Sequence, residues 1–211
     1  MAHLKLTREQ VLGRTRGVMN DAWIGYELLT EHHQADRQLF GLRTLVTSGR
    51  GTTFMAQQLR SVDSRFDEWY QPIVREMRED ELCRYFYTLR STIEKEGLPH
   101  PITAILEFLG QGEVVSTASV DVKEDRFGVW VNGSVDNFTF NRGPINQTAI
   151  RGAQVQRLSS IRLPNPPRTH LGNELTSDCI DYLGLHYLEY LFHQLVNPLV
   201  EKFGGEWVKS T

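Results

Sequence analysis

Apolar residues recur at helical spacing along the first part of this chain. Residues Thr7 to Gln10 have the form of a capping box, and the apolar positions after them predict a first helix that ends near His32. A second pattern predicts a helix from about Asp36 to Arg60. The "SGRG" around Gly49 lacks the Gly-Lys-Ser/Thr ending of a phosphate-binding loop, so a close helix crossing or a local kink is the better interpretation. Glycines in the first helix also predict the close approach of a neighbour: Gly13, Gly17 and Gly25.

Two further helices are predicted before residue 98. The segment 63–79 predicts a third helix, with Asp67 as its N-cap and Pro72 in its first turn. The most regular apolar stripe predicts a fourth helix from Asp80 to Glu96, and Gly97 terminates it.

The periodicity changes to alternation after Pro101. Alternating apolar and polar residues predict a small antiparallel sheet of two to four strands, with Asn132-Gly133 as a hairpin turn. Residues 102–140 are therefore predicted to be a β-hairpin insertion. Residues 141–173 show little regular periodicity, which predicts a long loop.

Helical periodicity returns near the end of the chain. Residues 174–203 predict a C-terminal helix that Asn197-Pro198 breaks and that completes a bundle whose core is residues 7–97. The predicted fold class is mainly α. We expect a single domain, residues 1–211, built as a four- to five-helix bundle with an inserted antiparallel β-hairpin or small sheet and a long basic loop.

Composition is that of an ordinary globular protein. The chain has 211 residues, of which 40% are hydrophobic and 23% charged, enough to bury a core. The N-terminus lacks the apolar run of a secretory signal, and no segment approaches the roughly 18 apolar residues of a membrane helix. Cys83 and Cys179 are predicted to be reduced thiols, which indicates the cytoplasm. Two cysteines are too few for a structural zinc site, and the histidines lack metal-ligand spacing, so no metal or cofactor is predicted.

The net charge of −3 hides an uneven distribution. Residues 137–173 contain no Asp or Glu and carry +5, which leaves −8 for the rest of the chain. Aromatic residues are absent between Phe140 and Tyr182, so this segment offers no base-stacking surface. The alternative to phosphate contact is a loop packed against acidic helices of the same or a partner chain. The candidate residues of the segment 137–173 for binding phosphate or RNA are Arg142, Arg151, Arg157, Arg162, Arg168 and His170.

The predicted fourth helix carries a second group of candidate residues. Arg90, Ser91, Glu94 and Lys95 lie within about a turn and a half of one another. Arg90 flanks the apolar stripe, and a half-buried guanidinium needs carboxylate, carbonyl or phosphate partners because it stays charged. A surface ion pair between Arg90 and Glu94, one turn apart, is the plain structural interpretation.

The sequence of this helix resembles the signature helix of the HEPN superfamily. "REDELCRYFYTLRSTIEKEG" has an arginine, a polar residue, three variable residues and then the position where that family has histidine. The preceding "FDEWY" is similar to bacterial HEPN-like proteins, and the resemblance covers roughly residues 7–97. It implies a helical bundle that dimerises through facing motif helices, in a bacterial defence, stress or toxin–antitoxin setting.

The resemblance also implies a set of candidate catalytic residues: Arg90, Ser91, Glu94 and Lys95. Members that cleave RNA do so without metal and use arginine and histidine at the scissile phosphate. Here Arg90 matches the arginine and Ser91 the polar second position, but Lys95 stands where histidine should be. Lysine is a poor proton shuttle near neutral pH.

The resemblance therefore predicts a HEPN-like binding protein, non-catalytic or with altered chemistry, that contacts RNA, a nucleotide or an acidic partner protein. One alternative is a metal-independent endoribonuclease that uses Arg90. Another is an immunity-type module that binds protein. The C-terminal "DYLGLHYLEYLFHQL" is aromatic-rich and apolar on much of its circumference, typical of a core helix or an oligomer interface, and we expect a homodimer.

Overall fold

The computed structural model describes residues 6–30, 35–97, 102–110, 113–125, 128–130 and 154–204. Within these residues the chain is mainly helical, as the sequence predicts. A 3₁₀ turn, Gln58–Ser61, follows the second helix, and a π-helical turn, Leu191–Val196, separates the last two. The helices are α1 Arg8–Thr30, α2 Ala35–Gln57, α3 Phe66–Glu79, α4 Glu81–Glu96, α5 Ile180–Tyr190 and α6 Asn197–Phe203.

Helices α1 and α2 form an antiparallel pair in close contact. A Cβ atom on Gly25 would lie only 2.4 Å from the backbone nitrogen of Leu45, while Thr52, further along α2, reaches back to Met19. No side chain fits at Gly25, so the two backbones touch where the helices cross. The predicted close approach is confirmed at Gly25, whereas the two earlier glycines of α1 face open space.

Helices α2, α4 and α5 meet at Gly49. A Cβ atom there would lie 2.8 Å from Cε1 of Tyr187 on α5. Tyr187 stacks on Phe86 of α4, with ring centroids 4.3 Å apart and an interplanar angle of 2°. The predicted close helix crossing at Gly49 is therefore confirmed. It fixes the distance between α2 and α4, the two helices that carry the candidate site.

Helix α3 begins earlier than predicted. Its N-cap is Arg65 and Asp67 lies in the first turn, so the prediction of Asp67 as N-cap is wrong. Phe66 is fully buried and stacks on Tyr70 with ring centroids 4.9 Å apart. This aromatic packing favours a helix that begins at Phe66. Pro72 consequently lies inside α3 and not in its first turn.

Helix α4 begins and ends where the sequence predicts. Asp80 is its N-cap, and Oδ1 of Asp80 accepts a hydrogen bond from the backbone N–H of Cys83 at 2.8 Å. Gly97 follows the helix with a φ of 86°, a conformation that favours glycine. The predicted apolar stripe is buried at Leu82, Phe86 and Leu89.

The alternating segment contains an antiparallel sheet in the order β3-β2-β1-β4, so the predicted sheet is confirmed. Strand β4 lies within the predicted basic loop, and that part of the loop prediction is wrong. Two register shifts in its pairing with β1 disturb the alternation on which sequence recognition depends. The predicted Asn132-Gly133 turn lies outside the described residues. The strands are β1 Ile102–Gly110, β2 Glu113–Asp125, β3 Gly128–Trp130 and β4 Gln154–Arg162.

A short hairpin precedes the last helices. Strands β5 Thr169–His170 and β6 Asn173–Glu174 pair across Leu171 and Gly172, whose φ angles are 49° and 78°. Two positive φ angles are what a two-residue hairpin turn of the favoured twist requires. The sequence predicts that the C-terminal helix starts at residue 174. This hairpin occupies that position, so the predicted start is wrong.

The C-terminal helical region continues past its predicted break. Helix α5 starts at Ile180, and the π-helical turn leads directly into α6. Asn197 and Pro198 open α6, where the missing N–H of a proline in the first turn costs no hydrogen bond. The prediction that they break the helical path is wrong for this reason.

Candidate functional site

Arg90 lies on the flank of α4 that faces α2. Its Nη2 is 2.7 Å from Oε1 of Glu94, and its guanidinium carbon is 5.3 Å from the ring centroid of Phe54. Only 26% of the Arg90 side chain is exposed. Nε of Arg90 is buried and has no hydrogen-bond acceptor in the described part of the chain.

The other candidate catalytic residues do not converge on Arg90. The Ser91 hydroxyl donates to the backbone oxygen of Tyr87 at 3.3 Å, within its own helix. Lys95 is exposed, with no hydrogen bond or ion pair to another described residue. Of the four, only Arg90 and Glu94 are in contact, and Lys95 does not join them as a second acid-base group.

The basic segment is held in part by carboxylates of its own chain. Arg142 and Arg151 lie outside the described residues. The backbone of Arg157 lies opposite that of Glu107 in the register of β4 and β1, and Nε of Arg162 is 2.9 Å from Oδ1 of Asp178.

The hairpin at the end of the basic segment docks on the start of α4. The backbone N–H groups of Arg168 and Thr169 donate to Oε2 of Glu81 at 3.0 and 3.1 Å, and they lower the pKa of that carboxyl. His170 Nδ1 lies 3.1 Å from both carboxylate oxygens of Asp80.

Asp80 is the most heavily bonded acceptor of this junction. Burial raises its pKa, but hydrogen bonds from His170 and from the backbone N–H groups of Leu171 and Cys83 outweigh burial and lower the pKa to about 2. The described end of the basic segment thus packs against acidic residues of the same chain, the alternative to phosphate contact that the sequence left open.

The two groups of predicted site residues lie apart. Arg90 is about 15 Å further along the axis of α4 than Asp80. The proline-rich residues 164–167 border the flank of α4 that carries Tyr85 and Leu89, whereas Arg90 faces Phe54 on α2. The described residues therefore do not form one shared cleft.

Arg50 is a candidate site residue that sequence reasoning missed. Its guanidinium carbon lies 4.5 Å from the ring centroid of Phe54 and 4.9 Å from that of Tyr87, and its Nη1 donates to Oγ1 of Thr53 at 2.8 Å. Nε of Arg50 is buried without an acceptor in the described chain. Arg50 and Arg90 thus both contact Phe54.

A small pocket next to Arg50 gathers three arginines from three helices. Arg50 of α2, Arg78 of α3 and Arg84 of α4 line a cavity of about 120 Å³. No carboxylate occurs among its described lining residues. Because three arginines line one cavity that has no carboxylate in its described lining, the cavity favours an anion. We call it the arginine pocket.

The remaining polar groups of the arginine pocket are neutral. Burial raises the pKa of Tyr70 and of Tyr187, so both phenols stay protonated and are able to donate hydrogen bonds. Burial likewise raises the pKa of the Cys83 thiol far above its ordinary value, so it supplies no thiolate nucleophile. The pocket has the chemistry of a binding site and lacks that of nucleophilic catalysis.

One sequence signal points to Arg50. Residues 37–62 contain no Asp or Glu and four arginines, the same pattern that identifies the basic segment. The pocket itself cannot be predicted from the sequence, because Arg78 and Arg84 lie on other helices.

The described residues offer neither a candidate metal site nor a helix that could cross a membrane. They contain no group of three or more His, Cys, Asp or Glu side chains that could hold a metal ion. None of the described helices combines the length and apolar character needed to cross a membrane.

Comparison of the chain with protein-family models, with curated proteins and with solved structures yields no match.

Proposed function

We propose that this protein binds a phosphate group of RNA or of a nucleotide in the arginine pocket and does not cleave it. The observation that carries the proposal is the convergence of Arg50, Arg78 and Arg84 on one cavity with no carboxylate among its described lining residues. Three cations held together repel one another, and an anion with several acceptor oxygens removes that repulsion.

A hydrogen-bond donor of Arg50 that lacks an acceptor also supports the proposal. A buried donor without an acceptor costs roughly 1–3 kcal/mol, and a ligand oxygen that reaches it recovers this free energy. Nε of Arg50 is such a donor. Phosphate offers more acceptor oxygens than a carboxylate and matches the planar fork of arginine.

The size of the cavity favours a single phosphate group. Pockets for drug-sized ligands enclose roughly 300–1,000 Å³, whereas the arginine pocket encloses about 120 Å³. The sugar and base of a nucleotide therefore remain outside, next to the exposed rings of Phe54 and Tyr87. Binding without cleavage agrees with the position of Lys95, which does not join Arg90 and Glu94 as a second acid-base group.

The HEPN-like relationship and the homodimer stay predictions, and the proposal depends on neither. Docking of an acidic partner on the basic segment is not favoured, because described residues of that segment already contact Asp178, Asp80 and Glu81.

Calorimetric titration with pyrophosphate tests the proposal. Arg50→Gln and Arg78→Gln should each weaken binding about tenfold or more, because each removes a charge-assisted hydrogen bond. Arg75→Gln is the matched control, since Arg75 is an exposed arginine of α3 outside the pocket. Equal affinities in all three variants, or no binding by the unaltered protein, would contradict the proposal.

Incubation with RNA in EDTA tests the absence of cleavage. We expect the RNA to remain intact with the unaltered protein and with Arg90→Ala. Cleavage that Arg90→Ala abolishes would establish the endoribonuclease alternative instead.

A further inference from the structure

The outward face of α2 carries an alternation of aromatic and basic residues. Five positions separated by three or four residues share this face: Phe40, Arg43, Thr47, Arg50 and Phe54. Such spacing places side chains in one row along a helix. We call this row, together with Tyr87 and Arg90 of α4 beside it, the α2 stripe.

The aromatic members of the α2 stripe are exposed. Phe40 is 59% exposed, Phe54 42% and Tyr87 54%. They are the only exposed residues among the phenylalanine, tyrosine and tryptophan side chains whose burial the structure describes. Exposed aromatic surface concentrated on one face marks a binding surface.

Arginines lie between these rings. The Arg50 guanidinium contacts both Phe54 and Tyr87, and Arg90 contacts Phe54 from the other helix. Glu94 neutralises Arg90, but residues 37–62 supply no acid to neutralise Arg50. The surface therefore presents flat apolar faces and cationic charge within a few ångströms of each other.

The length of the α2 stripe fits several nucleotides. Phe40 and Phe54 are separated by about 21 Å along the helix axis, at 1.5 Å per residue. A stacked strand advances about 3.4 Å per nucleotide, so the stripe spans about six nucleotides. Proteins that bind single strands without sequence preference combine basic tracks with stacking rings over lengths of this order.

We propose that the α2 stripe binds single-stranded nucleic acid, with bases stacked on Phe54, Tyr87 and Phe40 and one phosphate in the arginine pocket. The inference rests on the proposed function, because the pocket anchors the strand. A duplex buries the faces of its bases and cannot stack them on these rings. A second copy of this chain fits less well, because a two-fold contact would bring the arginine-rich face against itself.

Fluorescence anisotropy with a labelled eight-nucleotide oligo(U) tests the inference. Stacking contributes roughly 1–3 kcal/mol per base, so Phe54→Leu and Tyr87→Leu should each weaken binding of the strand about tenfold. Binding of pyrophosphate, which carries no base to stack, should fall by less than binding of the strand in both variants. Val62→Ala, an exposed apolar position outside the stripe, is the control and should bind as the unaltered protein does.

Strand length provides a second measurement. Phe40→Leu should weaken binding of the eight-nucleotide strand and leave a three-nucleotide strand unaffected, because a short strand anchored in the pocket ends before Phe40. Thermal melts of each variant establish that the fold is retained, as expected for exposed positions.

The outcomes separate the inference from the proposed function. If the aromatic variants bind the strand normally while Arg50→Gln weakens pyrophosphate binding, strand binding by the α2 stripe is contradicted and phosphate binding in the arginine pocket is supported. Binding of a duplex as tight as that of the single strand would also contradict strand binding by the α2 stripe. The same holds if the protein is a dimer that Phe54→Leu dissociates while affinity for the strand is unchanged. If neither pyrophosphate nor the strand binds, both are overturned.

Discussion

Two buried polar groups, Asp80 and Arg50, have opposite surroundings. Asp80 accepts hydrogen bonds from His170, from the backbone N–H of Leu171 and from that of Cys83, so its charge is balanced within the fold. Nε of Arg50 has no acceptor among the described residues. Because an unmade buried hydrogen bond costs free energy that a ligand recovers, Asp80 serves structure and Arg50 indicates binding.

Asp80 should make stability depend on acidity. Its pKa in the folded protein is about 2, below the value of about 3.9 for an unfolded chain. The stabilisation is therefore complete above about pH 4 and is lost as the pH falls through about 2. We expect Asp80→Asn, which keeps the cap oxygen and removes the charge, to lower the free energy of unfolding at pH 7 by about 2 kcal/mol.

Urea denaturation at pH 7 and at pH 2.5 measures this effect. The difference in unfolding free energy between Asp80→Asn and the unaltered protein should shrink at the lower pH. Glu94→Gln is the control, because an exposed helix pair contributes only about 0.3–0.5 kcal/mol. A constant difference at both pH values would show that the charge of Asp80 does not stabilise the fold.

At the scale of secondary structure, helix contacts fix the surfaces that carry the site. The crossing of α2 with α5 at Gly49 lets Tyr187 and Phe86 stack between α2 and α4. That packing brings Arg50 and Tyr87 within cation–π distance. The arginine pocket therefore depends on Gly49, which is not among its described lining residues.

Two glycines of α1 should respond oppositely to alanine. Gly25→Ala should destabilise the protein by roughly 1–3 kcal/mol, because its methyl group would meet the backbone of α2. Gly13→Ala should stabilise it by about 0.5–1 kcal/mol, since that position is open and alanine is the better helix former. Urea denaturation measures both, and a loss of stability in Gly13→Ala comparable to that in Gly25→Ala would contradict the packing of the pair.

Whether a predicted helix or strand boundary agrees with the structure depends on how far apart in sequence the residues that set it lie. The cap at Asp80 and the end at Gly97 depend on residues within one turn, and the sequence predicts both. The start of α3 depends on burial of Phe66 against distant aromatic rings, and the pairing of β4 depends on β1. Contacts of that range leave no periodic signal in the local sequence.

At the scale of the whole molecule, two acid-free stretches have different surroundings. The described residues of the segment 137–173 contact Asp178, Asp80 and Glu81. The stretch 37–62 places Arg50 in a pocket with no carboxylate among its described lining residues. Charge in the sequence is therefore equal evidence for both stretches. Only the fold distinguishes arginines that pair with a carboxylate, such as Arg162 with Asp178 and Arg60 with Asp67, from Arg50, which lines a cavity with no carboxylate in its described lining.

Salt should weaken binding of a single strand in proportion to the phosphates contacted. If the pocket arginines neutralise the charge of the one phosphate that the pocket holds, the logarithm of affinity should fall against the logarithm of salt concentration with a slope of about −0.7. Arg78→Gln should make that slope shallower, and Arg75→Gln should leave it unchanged. Anisotropy titrations between low and moderate salt measure the slopes, and a slope near zero would exclude electrostatic binding by the pocket.

The sequence by itself determined the helical class and the extent of α4, because periodicity and caps act within a few residues. It also predicted the ion pair between Arg90 and Glu94, though not the contact of Arg90 with Phe54. Tertiary structure alone decided that Arg50, Arg78 and Arg84 share one pocket and that His170 is held by Asp80. The physical reason is that three helices far apart in sequence carry the pocket, and only the burial of their apolar faces sets which polar residues are left together.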